Sequence, residues 1–457
     1  MPDLTQILER REHALKIWRA GVAEIDSRHL VAKNVVLKND ELILMGQKFP
    51  LDQFQKLIVV GGGKAGQGMV DGLEDQLGSE FLRERVQGWV NVPEDCVDEE
   101  RNDTSTSIHI HAARPAGVNE PRLAGVEGTQ KILELVANAD ANDLVVVLLS
   151  GGGSALLPAP VDAISLEDKL FVTRKLSRHG ATIEELNLVR RHLSKIKGGG
   201  LSKACNAGTM ITMIISDVIG DPLETIASGP TVTSEHNPGQ ALSILQKYLA
   251  SEFPESIRLY LSDTKNSSHN EQVSVHVINK IVGSNAIALN ASEQRAINLG
   301  YDVINAGAFN EGEAQLFAQQ IIRQALEESG KISKPVCLLY GGETTVSLKG
   351  VSNPGKGGRN QEVALAVIHE LKKHPELVNR FVLIAGGTDG EDGPTDAAGG
   401  FADLTVIHEA DRLNLPPSDF LARHDAYHFL DACNALLKTG PTHTNVMDIT
   451  IAMVWPV

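Results

Sequence analysis

Five short apolar runs each break at once into a loop of glycine and polar residues, and that arrangement admits few architectures. KLIVV runs into Gly61-Gly62-Gly63-Lys64-Ala65-Gly66, LVVVLL into Ser150-Gly151-Gly152-Gly153-Ser154, and MITMII into Ser216-Asp217-Val218-Ile219-Gly220-Asp221. VCLLY runs into Gly341-Gly342-Glu343-Thr344-Thr345, and FVLIA into Gly386-Gly387-Thr388-Asp389-Gly390-Glu391-Asp392-Gly393. Runs of this kind read as buried strands, and with helical segments between them they predict an α/β protein built on parallel sheet. Ligands of such sheets sit outside the carboxyl ends of the strands, so the five loops predict one large polar site.

The 457 residues allow several domains. A composition shift at SEFPES and SDTKNSSHNEQ, residues 251–272, places a boundary there, giving domains over 1–265 and 275–457. Residues 3–25 read as an amphipathic helix packed on the first domain. Residues 276–306 read as a strand, a helix and a strand that open the second domain. The net charge of −16 opposes any polyanion, so nucleic acid is set aside as a partner. No apolar stretch approaches the roughly 20 residues that span a bilayer, which argues against a membrane protein. The first residues lack a secretory core and carry Asp3, Glu9 and Glu12, so the expected compartment is the cytoplasm, with the mitochondrion as the alternative. Four cysteines without a CxxC pair read as thiols in a reducing compartment.

The loops carry the chemistry. Gly61, Gly63 and Gly66 form a GxGxxG, but Lys64 intrudes and no acidic residue ends a second strand at the spacing a dinucleotide needs. Three readings stay open: an anion held by helix amides and Lys64, a dinucleotide site, or structural turn glycines. Ser150, Gly152, Gly153 and Ser154 read as an anion cradle of backbone amides or as a structural turn. A nucleophile elbow is excluded, since Leu156 replaces the last glycine of GxSxG. Asp217 and Asp221 flank a turn that offers ligands to Mg²⁺, contacts a hydroxyl, or simply caps a helix. The acidic loop with Thr388 and Asp389 reads as a holder of Mg²⁺ or nucleotide hydroxyls, or as a solvated loop. Residues 350–357 match GxxxxGK, but Gly357 stands where a P-loop has Ser or Thr. Arg359 then opens a predicted helix and could fork onto phosphate or carboxylate oxygens. Residues 185–197 read as a helix on which Arg190 and Lys197, seven apart, share a face and could reach one anion. His424 and His428 form an HxxxH without a third ligand. Cations (Lys64, Arg190, Lys197, Arg359), amide-rich turns and the carboxylates Asp217, Glu343 and Asp389 are the ingredients of phosphoryl transfer.

The same residues resemble the class II glycerate kinases, whose C-terminal domain is of the MOFRL type. The resemblance rests on VVGGGKAGQGM (59–69), LLSGGGSALL (148–157), ELNLVRRHLSKIKGGGL (185–201), IISDVIGDPLETIASGPT (214–231), YGGETTV (340–346), GKGGRNQEVAL (355–365), AGGTDGEDGPTDAAG (385–399) and TGPTHTNVMD (439–448). It implies a Rossmann-like N-terminal domain, a smaller C-terminal α/β domain and an active site in a cleft between them. It also implies phosphorylation of D-glycerate by ATP with Mg²⁺, 2-phosphoglycerate favoured over 3-phosphoglycerate, feeding glycolysis and sugar-acid catabolism. The chain would act as a monomer or homodimer on small-molecule partners. By resemblance Lys64, Arg359 and Asp217 are catalytic. Gly62, Gly63, Ser150, Gly152, Gly153, Ser154, Arg190, Lys197 and Glu343 would bind substrate or phosphate. Gly341, Gly342, Thr344, Gly358, Asn360, Thr388 and Asp389 would bind nucleotide, and Asp217 and Asp389 the metal. Lys64→Ala and Arg359→Ala are expected to leave folding nearly intact and to cost orders of magnitude in turnover. One departure is the segment His111-Ala112-Ala113-Arg114-Pro115-Ala116-Gly117-Val118-Asn119-Glu120, where members typically carry a GHPxPD-like sequence; Arg114 could supply a cation there.

Overall fold

The computed structural model describes residues 4–98, 107–234, 237–263 and 274–456. Most of SDTKNSSHNEQ, where the sequence places its boundary, lies outside the described residues. The chain forms two compact units, one of residues 27–282 and one that joins the residues through Asp26 to those from Gly283 onward.

The unit of residues 27–282 is built on a six-stranded sheet in the spatial order Ile108–Arg114, Val86–Pro93, Leu57–Gly62, Leu144–Leu149, Thr209–Ile215, His276–Gly283. The first five pair in parallel. Numbered along the chain this is the order 3-2-1-4-5-6, which reverses direction between Leu57–Gly62 and Leu144–Leu149. Both strands at the reversal are buried along their whole length, which is why they read as unbroken apolar runs rather than alternating ones. The loops that follow them, with Lys64 and with Ser150 to Ser154, lie together at the switch point where such sheets take ligands.

The other unit carries a mixed sheet in the order Asp302–Asn305, Val336–Gly342, Asp448–Val454, Phe381–Gly387, Gly399–Asp403, Leu436–Leu437. Here the parallel expectation fails: Asp448–Val454 runs antiparallel to both of its neighbours. Because it lies between the VCLLY and FVLIA strands, their glycine ends still reach one edge, with Asp448 in register with Gly342 on one side and Gly387 on the other.

Two elements belong elsewhere than the sequence suggests. The N-terminal helix Leu4–Glu24 packs on helix Asn285–Asn298 and on the strands of the C-terminal sheet, not on the first domain. Gly21 makes this possible, since a Cβ there would stand 2.4 Å from Ser292 Oγ. Trp18, 1% exposed, packs against Gly386, and Arg11 donates to the buried carboxylate of Asp403 at 2.7 Å. Apolar periodicity showed that the helix has a buried face but not which sheet it covers. Likewise His276–Gly283 completes the first sheet instead of opening the second domain. Trp18→Ala is expected to cost about 3–5 kcal/mol, read as a lower urea midpoint, because its ring is core of the C-terminal unit. An unchanged midpoint would show the helix to be an appendage.

Candidate active site

At the switch point the three glycines of GxGxxG are used for packing. A Cβ at Gly61 would lie 2.0 Å from the Leu148 carbonyl oxygen, one at Gly63 2.0 Å from Ser150 Oγ, and one at Gly66 2.8 Å from Val92 Cγ1. Gly62 faces Leu157 in the same way. Ser150, itself buried, accepts from the Ala65 amide at 3.0 Å and so fixes the turn that presents Lys64. The Lys64 amide donates to Gly151 O at 2.8 Å. These contacts favour the structural reading of the glycines and leave Lys64 as the chemical element of the loop.

The Ser150–Ser154 loop borders a cavity of about 360 Å³ lined by Ser150, Gly152, Gly153, Ser154, Arg190, Lys197 and Asp217, all of them expected, together with Lys169, Asn187 and Ser228. A Cβ on Gly151 would lie 2.3 Å from the Asp217 carboxylate, and one on Gly152 3.5 Å from both Lys64 Cγ and Arg114 Nη2. Two strand-end loops and the edge strand ending at Arg114 thus converge on one glycine turn, and Arg114 does bring a cation there.

Lys197 does not share a helix with Arg190. The helix Ile183–His192 stops earlier, and Lys197 comes from the following loop, which Gly198 and Gly199 hold at positive φ against residues 228 and 229. Its buried ammonium donates to Ser154 Oγ at 2.5 Å, Ser154 O at 3.1 Å and Ser228 Oγ at 3.2 Å. Ala227 and Ser228 are both held at positive φ, a strained pair at the cavity wall. Burial, then Lys169, Arg190 and Arg191, pushes Lys197 well below the ordinary lysine range.

Lys169 was not legible in the sequence. It lies on helix Leu166–Arg178, whose other buried positions are Leu166, Val172 and Leu176, and no motif marks it. Its side chain is buried, and its Nζ has no hydrogen-bond partner. Burial, then Arg190, pushes it down to about 7. The only available signal was a lysine on an otherwise apolar helical face.

The C-terminal unit holds the remaining expected residues. Arg359 opens helix Arg359–Leu371, as predicted, and forks onto Asp448 at 2.6 and 2.9 Å while pairing with Glu343 at 2.7 Å. Burial works against its charge, but Asp448, Glu343 and Asp392 hold the guanidinium pKa above its ordinary value. Asp448 stands in the TGPTHTNVMD block, where no role was assigned to it. The helix N-terminus is filled by Asp392, which accepts from the amides of Asn360 at 3.1 Å and Gln361 at 2.8 Å, and whose carboxyl burial pushes up to about 7. Gly358 is packed against the same carboxylate.

Most nucleotide-binding candidates are likewise engaged internally. The amides of Gly341 and Glu343 donate to Gly307 and Asn310, and the Asn285 side chain fills the space beside Gly341. Gly342 abuts the Asn310 backbone. The Thr388 hydroxyl donates to Met447 O at 2.7 Å. The cavity lined by Thr344, Asn360 and Asp448 is about 10 Å³, room for a water. Asp389 accepts from the Glu391 amide in a local turn. His424 and His428 go to different carboxylates, Glu362 and Asp425. Among the described residues no group of three or more His, Cys, Asp or Glu is placed to hold a metal, and no helix is long and apolar enough to cross a membrane.

The strand order, the glycine turns at the switch point and a cavity lined by basic side chains define a doubly wound α/β protein with a candidate ligand cavity at its switch point. Residues 13–262 match a family described as a domain of unknown function (DUF4147), and residues 336–448 match the MOFRL family. Glycerate kinase of Rattus norvegicus is 35% identical, over 99% of this chain and 95% of that one. Glycerate 2-kinase of Pyrococcus horikoshii is 36% identical over 98% of each. A crystal structure of glycerate kinase from Thermotoga maritima matches with a TM-score of 0.83 at 30% identity, covering 98% of this chain and 99% of that one. The chain belongs to the MOFRL-containing glycerate kinase family.

Two outcomes follow from this geometry. Arg359→Ala leaves the Asp448 carboxylate, 8% exposed, without its fork, so it is expected to cost about 3 kcal/mol in urea unfolding rather than leave folding intact. Lys169 binds its proton less tightly folded than unfolded, so from about 7 up to the ordinary value of 10.5 the unfolded chain holds more protons and its contribution to stability rises with pH. The urea midpoints of the parent and Lys169→Met are therefore expected to approach each other between pH 7 and 10, and a constant gap would refute this.

Proposed function

We propose that the protein phosphorylates a hydroxyl of D-glycerate with ATP and Mg²⁺, with 2-phosphoglycerate as the product. The observation that carries this reading is the cavity at the switch point, which the basic side chains of Arg190 and Lys197 line beside the glycine turn and Asp217. The full-length likeness to proteins named glycerate kinase supports it, and the name of the Pyrococcus horikoshii relative supports the 2-position.

Phosphoryl transfer through a loose transition state asks for positioning and charge neutralisation more than for covalent chemistry. In this reading Arg190 and the Ser154 hydroxyl, which Lys197 orients, hold the acid in the cavity. Lys64, presented by the turn that Ser150 fixes, holds the transferred phosphoryl group and stabilises its charge. In the C-terminal unit Arg359, set in its fork by Asp448, is proposed as a catalytic guanidinium. When bound, Mg²⁺ neutralises nucleotide phosphate oxygens; the residue that would hold it is Asp217. The Asp217 carboxylate at the cavity fits an ion carried largely by nucleotide phosphates and water.

Phosphorus NMR of the protein with D-glycerate, ATP and Mg²⁺ is expected to show a glycerate-dependent phosphomonoester whose proton coupling identifies the 2-hydroxyl. No such signal, with NADPH oxidised on adding hydroxypyruvate, would replace the kinase by a reductase. Lys64→Ala is expected to lower turnover by roughly 10²–10⁴ with an unchanged circular dichroism spectrum. Full activity would remove Lys64 from the mechanism.

A further inference from the structure

Helix Leu166–Arg178 buries four positions, Leu166, Lys169, Val172 and Leu176, and an ammonium at one of them breaks the pattern that folds the helix. The Lys169 side chain is 5% exposed, its Nζ has no hydrogen-bond partner, and Arg190 and Lys197 are its charged neighbours in the same cavity. A buried charge with neither partner nor hydrogen bond is a cost to the empty protein, and like charges beside it add to that cost. Leucine or methionine would fill the position without it. Groups that break a folding rule at a net loss belong to sites where a ligand restores the balance.

Lys197 differs from Lys169 in this respect, since three oxygens already accept from it. Asp217 lies against the glycine turn at Gly151, on the strand-end side of the cavity. Lys169, by contrast, comes from the helical wall shared with Leu170, Thr173 and Asn187. A small acid that presents its hydroxyl to the strand-end loops has its carboxylate left to be bound from that wall.

We propose that Lys169 is the carboxylate anchor of this cavity: its Nζ binds the acid end of the substrate, and the fold tolerates the charge for that purpose. This rests on the kinase reading above. It separates stability from binding in a way a structural lysine would not. Removing the charge should make the empty protein more stable and the substrate bind worse.

The test compares the parent with Lys169→Met and Lys169→Gln in steady-state kinetics with D-glycerate and ATP and in thermal unfolding with and without D-glycerate. Expected is an unliganded Tm for Lys169→Met above the parent's, a KM for D-glycerate raised on the order of 100-fold, and a KM for ATP within a factor of three. The Tm rise that D-glycerate gives the parent should vanish in both variants. A KM for D-glycerate within threefold of the parent, or a KM for ATP that rises with it, would overturn the assignment. So would loss of folded protein in both variants, because a charge tolerated for a ligand cannot be what holds the cavity together. If the parent itself forms no ADP in response to D-glycerate, the kinase reading fails; an active parent with indifferent variants sinks the anchor alone.

Discussion

The close approach of strands Leu57–Gly62 and Leu144–Leu149 is the contact on which the site depends. A Cβ at Gly61 would lie 2.0 Å from Leu148 O and one at Gly63 2.0 Å from Ser150 Oγ, so only glycine lets the two strand ends meet in this register. Once they meet, the topology places the Lys64 and Ser150–Ser154 loops together at the reversal of strand order. The GxGxxG spacing is therefore a packing device, and its likeness to a dinucleotide fingerprint follows from similar demands on a strand–turn–helix junction.

Charge burial explains the rest of the cavity. Lys169, Arg190 and Lys197 all have pKa values lowered by desolvation, and Lys197 donates to neutral oxygens of Ser154 and Ser228. A protein with a net charge of −16 has nevertheless concentrated basic side chains around one cavity. In that setting each is a stronger electrostatic partner for an anion than the same group on the surface.

The C-terminal unit organises charge in the reverse sense, as one arginine among carboxylates. Asp448 opens the central strand between two strands that run the other way, and the register with Gly342 and Gly387 puts it where Arg359 can fork onto it. Asp392 meanwhile takes the helix amides that an anionic ligand would otherwise use. The result holds a guanidinium in one orientation, which is what a positioned charge requires.

The sequence by itself determined the two α/β sheets, the strands that end in special loops, the start of the helix at Arg359, and seven residues that line one cavity with their glycine turns. These are local matters of apolar runs, glycine and capping, or motifs carried in contiguous blocks. Tertiary structure alone decided that the N-terminal helix covers the C-terminal sheet, that Asp448 rather than a ligand receives Arg359, and that Lys169 faces the cavity. The physical reason is the same in each case. A helical period says that one face is buried but not against what. A carboxylate 89 residues from its arginine becomes a partner only through strand register, and a lone lysine in an apolar stripe acquires meaning only when the space before it is known.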